Sequence, residues 1–236
     1  MKKVIGSLLM SGALLGTVVA PLVANADANT TGNTAVSATF TKSTQTITPV
    51  DPTDPNTPST GGDDNNGAAA GGDLSLIYAP KSLDFGTHEI DVQNAQSYAV
   101  DTSSANSKLW DNSAVLEVSD VRGTNAGWSL SASATSLTNT AGTATANGAT
   151  ITLPNGDVTN SGAAHNGAVA VKAPVINLNS SSAGVQVLSA ADGNGAGVTV
   201  DNLDPTVTML NIPANSVKAD AYSSTITWTL AATPAN

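Results

Sequence analysis

Two tripeptides of one form, Trp128-Ser129-Leu130 and Trp228-Thr229-Leu230, stand one hundred residues apart in a chain that holds only three tryptophans. An indole offers a flat apolar face and a single N–H donor, so two kinds of chemistry are open to it. It can stack on the apolar face of a sugar ring as an exposed platform. It can also fill a core, where truncation to alanine costs roughly 3–5 kcal/mol. Aromatic residues make up 3% of the chain. That scarcity favours the core, because few other side chains supply the same volume. Against a whole stability of about 5–15 kcal/mol, a binding defect in a Trp→Ala variant does not by itself show contact with a ligand.

The remaining candidates are sparse. Arg122 is the only arginine, and its planar fork suits a bidentate carboxylate. With Asp120 in the run Ser119-Asp-Val-Arg-Gly123, it reads as a structural ion pair holding the turn into Trp128; a guanidinium facing a ligand is the alternative. In Pro80-Lys-Ser-Leu-Asp-Phe-Gly86, Leu83 and Phe85 share a face and Asp84 takes the other, with Asp84 a partner for Arg122 on charge alone. His88 and His165 have no second ligand nearby and read as solvated. Asp192-Gly-Asn-Gly195 is too poor in ligands for a calcium loop, and Asp63-Asp64 reads as solvated. There is no Gly-x-Ser-x-Gly elbow, no His-Glu-x-x-His and no phosphate-cradling loop. A glycosidase would need two carboxylates in one cleft, and an aspartate pair is the one arrangement left open. An enzyme is not expected, and no cofactor or metal site is expected.

Composition narrows the partners. The formal charge is −10; without Lys2 and Lys3 it becomes −12 (−10 − 2). Nucleic acid is excluded as an expected partner, since phosphate binding needs basic patches. An anionic wall polymer or membrane would also repel the chain at long range, so attachment to one must use short-range contacts or bridging cations. Cysteine is absent, which removes thiol catalysis and thiolate metal sites and fits a Gram-positive surface.

The elements that would position these residues are strands. Residues 1–26 read as a signal peptide: Lys2-Lys3, an apolar run from Val4 to Val23, and the small-x-small site Ala24-Asn-Ala26. No membrane insertion is expected after its cleavage. Residues 27–48 hold an alternating segment, Thr34 to Lys42, with Val36, Ala38 and Phe40 on one face; it is expected to be a strand packed on the main domain. Residues 49–72 read as a linker. Its prolines at 49, 52, 55 and 58 have the three-residue period of a polyproline II spacer, about 30 Å long, followed by a flexible Gly/Asp/Asn run. Residues 73–236 form the main domain, large enough for one core. Alternation predicts strands at Leu74–Tyr78, Ser97–Val100, Val115–Val118, Trp128–Ala134, Ala149–Leu153, Ala168–Lys172, Val185–Leu188, Gly197–Val200, Val207–Ile212 and Ser223–Leu230. Turn formers such as Pro154-Asn-Gly-Asp157 separate them. The expected fold is all-β: an antiparallel sandwich or barrel-like domain with a Pro/Gly-rich tether.

In this order and spacing the motifs resemble the WxL domain family of Gram-positive bacterial surface proteins. The residues that carry the resemblance are Leu76 to Gly86, Val118-Ser-Asp-Val-Arg-Gly123, Gly127-Trp-Ser-Leu130, Val187-Leu-Ser-Ala190, Ile212-Pro213, Ala219 to Tyr222 and Thr225-Ile-Thr-Trp-Thr-Leu230. The resemblance implies a small, single-domain member, exported to the cell wall and held there noncovalently. It implies peptidoglycan or another wall polymer as ligand, with Trp128, Leu130, Trp228 and Leu230 as the wall-binding motif. It also implies other WxL-type or membrane-anchored surface proteins as partners. The alternative functions are a structural or assembly subunit of a surface complex and a host-matrix adhesin.

Overall fold

The computed structural model describes residues 32–59, 71–162, 167–181 and 183–234. The proposed leader, most of the Gly/Asp/Asn run with Asp63-Asp64, and His165 lie outside them. The chain divides into two units, residues 1–39 and 40–236. Of the first, residues 32–39 are described; all are exposed and none is in a strand.

That corrects the expected strand at Thr34–Lys42. Residues 32–49 contain no strand, and Val36 and Phe40 are 90% and 92% exposed. Alternation gives a segment two faces, but a strand also needs a neighbouring ladder to receive its hydrogen bonds, and no described residue provides one.

The second unit is almost entirely β. Three four-stranded antiparallel sheets supply its framework. One has the order β10 (Ala168–Ala170), β12 (Val185–Ala190), β6 (Trp128–Ala134), β16 (Ile226–Ala231). The next runs β11 (Val175–Asn177), β8 (Thr150–Thr152), β14 (Met209–Ile212), β4 (Gln96–Ala99). The third runs β3 (Leu74–Tyr78), β5 (Ala114–Asp120), β13 (Gly197–Leu203), β9 (Asp157–Asn160). A short ribbon pairs β7 (Thr138–Asn139) with β15 (Tyr222–Ser223). The sheets are sandwich-like and do not close into a barrel. All ten expected strands have a counterpart; β3 and β6 have the expected ends and the other eight have shifted ends. The last differs most: Ser224 and Thr225 interrupt it, so Tyr222 pairs with β7 and only Ile226–Ala231 joins β6.

One apolar cluster takes side chains from all three sheets. Trp128, Leu130 and Leu188 come from the first, Ile151, Ile176 and Ile212 from the second, Leu116, Val118 and Leu203 from the third. Every residue of β5 is buried, so its sheet is covered on both sides. Leu116 and Val118 face the main cluster, while Val115 faces a second cluster with Ile77, Tyr78, Trp110, Val198, Val200 and Val50.

Val50 brings the second correction. Pro49–Pro58 is not a polyproline spacer. It folds into a hairpin of β1 (Val50–Asp51) and β2 (Asp54–Pro58). The turn is set by Asp51, whose Oδ1 accepts from the Thr53 N–H and hydroxyl at 2.8 and 2.7 Å, an Asx turn that competes with extended structure. Pro52 and Pro55 are buried, and Asn202 Nδ2 donates to the Pro52 carbonyl at 2.9 Å. The prolines pack as apolar side chains against the third sheet.

Candidate functional site

The two Trp-x-Leu tripeptides lie on hydrogen-bonded neighbours. β6 and β16 pair with Leu130 opposite Leu230, Ala132 opposite Trp228, and Ser129 opposite Ala231. Antiparallel pairing therefore joins the leucines and places the two indoles on opposite sides of the leucine pair along the seam.

Their environments differ. Trp128 and Leu130 are fully buried. The Trp128 Nε1–H donates to the Gly195 carbonyl at 3.1 Å, which satisfies the one polar group of the indole. Two glycines make room for this arrangement. Gly127 has φ +68° and a Cβ there would strike the Ala190 carbonyl; Gly195 has φ +79° and a Cβ there would strike the Trp128 indole. Trp228 and Leu230 are only half-buried, on a strand whose intervening residues are exposed.

A period of two turns the middle residue of each motif outward. Ser129, Ser131 and Ser133 on β6 and Thr227 and Thr229 on β16 share one face, joined on β12 by Ser189 opposite Ser129 and Gln186 opposite Ser131. Charged side chains are absent from these positions. The result is a ruled surface of hydroxyls and an amide, spaced about 4.8 Å between strands and about 7 Å along them.

Arg122 braces the entry to β6. Its Nε and Nη2 donate to the two oxygens of Asp120 at 2.9 and 2.7 Å. Nη2 also reaches the Gly127 carbonyl at 2.6 Å, and Nη1 the Ala232 carbonyl at 3.1 Å. One guanidinium thus ties the start of β6 to the end of β16, and its hydrogen bonds to Asp120 raise its pKa further. Asp84 is not its partner, which corrects the charge-based guess. Asp84 accepts instead from Ser104 Oγ at 2.5 Å, Asn106 Nδ2 at 3.2 Å and the Gly86 N–H at 3.0 Å. These bonds hold its carboxyl below the usual range, the Ser104 hydroxyl most of all. Phe85 packs on the main cluster.

Below the other face of β16 lies a groove of about 1130 Å³. Trp228, Tyr222, Phe85 and Tyr98 line it, and Leu137 and Ile151 are among the apolar side chains along it. His88 stacks on Tyr98 with ring centroids 3.7 Å apart, so this histidine is not simply solvated.

Sequence reasoning passed over two buried carboxylates, because a lone acid inside a strand pattern looks like a solvent-facing one. Glu117 is fully buried; the Val50 N–H donates to its Oε2 at 3.1 Å, and Oε1 has no partner among the described residues. Burial pushes its pKa up to about 8, against the lowering effect of that hydrogen bond. Asp201 is also fully buried, with neither oxygen bonded by any described residue, and burial pushes it up to about 7. Glu117 lies opposite Val200 and Asp201 opposite Leu116, so the two acids point to opposite faces of one sheet. They do not form the facing carboxylates that glycoside hydrolysis needs. Among the described residues no group of three or more His, Asp or Glu is placed to hold a metal, and no helix is long and apolar enough to cross a membrane.

The family model described as "WxL domain surface cell wall-binding" matches residues 27–234. No curated protein and no solved structure gives a match.

Proposed function

Because this chain belongs to the WxL domain family of surface cell wall-binding proteins, we propose that it attaches noncovalently to peptidoglycan through the outward hydroxyl face of β6 and β16. The single observation that carries the reading is the pairing of the two motifs, with tryptophan and leucine turned inward and the residue between them turned outward. The motif then works from below. Its apolar members fix the strands, and Ser129, Ser131, Ser133, Thr227 and Thr229 meet the polymer. Glycan hydroxyls and peptide-stem amides are both donors and acceptors, and a hydroxyl can serve either role. The face is also free of charge in a chain of net charge −10, so an anionic wall meets no carboxylate at the point of contact.

The test is sedimentation with purified peptidoglycan. Thr227→Asp combined with Thr229→Asp should remain in the supernatant while keeping the wild-type melting temperature, since exposed substitutions change stability by about 0.5 kcal/mol or less. Trp128→Ala should lose binding together with its fold, at a cost of roughly 3–5 kcal/mol. A folded double-aspartate variant that sediments like wild type would refute the hydroxyl face as the contact.

A further inference from the structure

Among the described residues, no strand pairs with the outer edge of β16. In an antiparallel ladder, alternate residues turn both backbone groups toward the partner strand. The Thr135 N–H donates to the Thr225 carbonyl, which assigns Thr225, Thr227 and Thr229 to the side of β6. The N–H and C=O groups of Ile226, Trp228 and Leu230 then point the other way, and no described residue bonds them. β4 is likewise the end strand of its own sheet. The groove is lined by Ile226 and Trp228 of β16, by Gln96 and Tyr98 of β4, by the segment of residues 80–91 and by core side chains such as Leu137 and Ile151.

The sequence holds a segment that fits it. Val36, Ala38 and Phe40 alternate with Ser37, Thr39 and Thr41. Val36 and Phe40 are the two most exposed large hydrophobic side chains among the described residues, at 90% and 92%. Charge agrees as well. Asp84, Glu89, Asp91 and Asp220 line the groove against Lys81 and Lys218, and from Ala28 to Val50 the chain has no acidic residue. An uncharged strand enters such a groove without the repulsion that most of this acidic chain would meet. Within its own chain the segment remains strandless with both side chains exposed.

We infer that residues 34–41 of one copy add as a strand to the outer edge of β16 in a second copy, with Val36, Ala38 and Phe40 turned into the groove. Main-chain hydrogen bonds to Ile226, Trp228 and Leu230 supply the ladder, and the alternate side chains supply the fit. Ser37, Thr39 and Thr41 fall on the same side as Thr227 and Thr229 and widen the hydroxyl face by one strand. Reciprocal exchange gives a closed dimer, and one-way exchange gives a chain of copies.

The test uses the whole chain without any wall material, so its outcome is independent of peptidoglycan binding. Sedimentation velocity over a range of concentrations should show a larger species that dissociates on dilution. Val36→Asp with Phe40→Asp, both at exposed positions, should remove that species. The chain has no cysteine, so a Thr39→Cys chain mixed with a Thr229→Cys chain should form a disulfide between positions 39 and 229 of different molecules. Adding the two aspartates to the Thr39→Cys chain should abolish that disulfide. A single monomeric species at every concentration overturns the inference. So does self-association that the aspartates leave unchanged, or a disulfide that forms only inside one molecule when both cysteines are placed in the same chain.

Discussion

Glu117 is the residue whose state the fold constrains most. One oxygen receives the Val50 N–H and no described residue bonds the other, so an ionised carboxylate there is poorly solvated. Its folded pKa of about 8 lies above the ordinary 4.5, and Asp201 at about 7 lies above the ordinary 3.8. A raised carboxylate binds more protons in the folded state than in the unfolded one, so stability falls as pH rises. This contribution is complete below about pH 4 and is lost progressively up to about pH 8. Asp84, Asp91 and Asp101 act in the opposite sense. Hydrogen bonds lower each one, so their contribution is present above pH 3.8 and lost as pH falls below it. The urea midpoint should therefore peak in mildly acidic solution and decline toward pH 8. Glu117→Gln keeps the shape and removes the proton. Its midpoint should decline less steeply from pH 5 to pH 8 and exceed that of wild type at pH 8. Parallel curves for the two proteins would show that Glu117 ionises without cost.

At the scale of elements, the hairpin of β1 and β2 closes the third sheet over Glu117. Val50 is buried beside Val115, Val198 and Val200. Val50→Asp would set a second carboxylate next to Glu117 and should cost on the order of 4 kcal/mol in urea unfolding. Asn56→Asp, an exposed change of equal charge in the same hairpin, should cost about 0.5 kcal/mol or less. Equal midpoints for the two variants would mean that the hairpin does not seal the sheet. The same hairpin shows where the sequence was hard to read. Proline every third residue has the period of a polyproline helix; Asp51 instead makes a local Asx turn with Thr53, and the burial of Pro52 and Pro55 depends on contacts far along the chain, such as that from Asn202. Strands with strong alternation, β6 above all, were legible because one face of each meets a core. β7, β9 and β11 were not, being two to four residues long and mixed in polarity. At the candidate site, the tryptophan and leucine positions could be read directly. That the two motif strands come together follows from reading both as strands of one core, and β6 and β16 do pair; that Trp128 is sealed while Trp228 borders a groove depends on pairing register, which no local pattern encodes.

At the scale of the molecule, charge and contact surface are separated. The formal charge of −10 comes from 18 acidic and 8 basic side chains, yet the face over the paired motifs carries none of them. A wall rich in anionic polymer repels the molecule over about 10 Å at 0.1 M salt and only about 3 Å at 1 M. If hydroxyl contacts hold the domain to the wall, salt screens a repulsion and leaves the attraction intact. The fraction bound to purified walls should therefore hold steady or rise between 0.1 and 1 M sodium chloride. Attachment through Lys81, Lys218 or Arg122 would behave oppositely, weakening as the ions screen it. Release of the protein by high salt alone would thus move the contact from the neutral face to those cations, whatever the aspartate variants had shown.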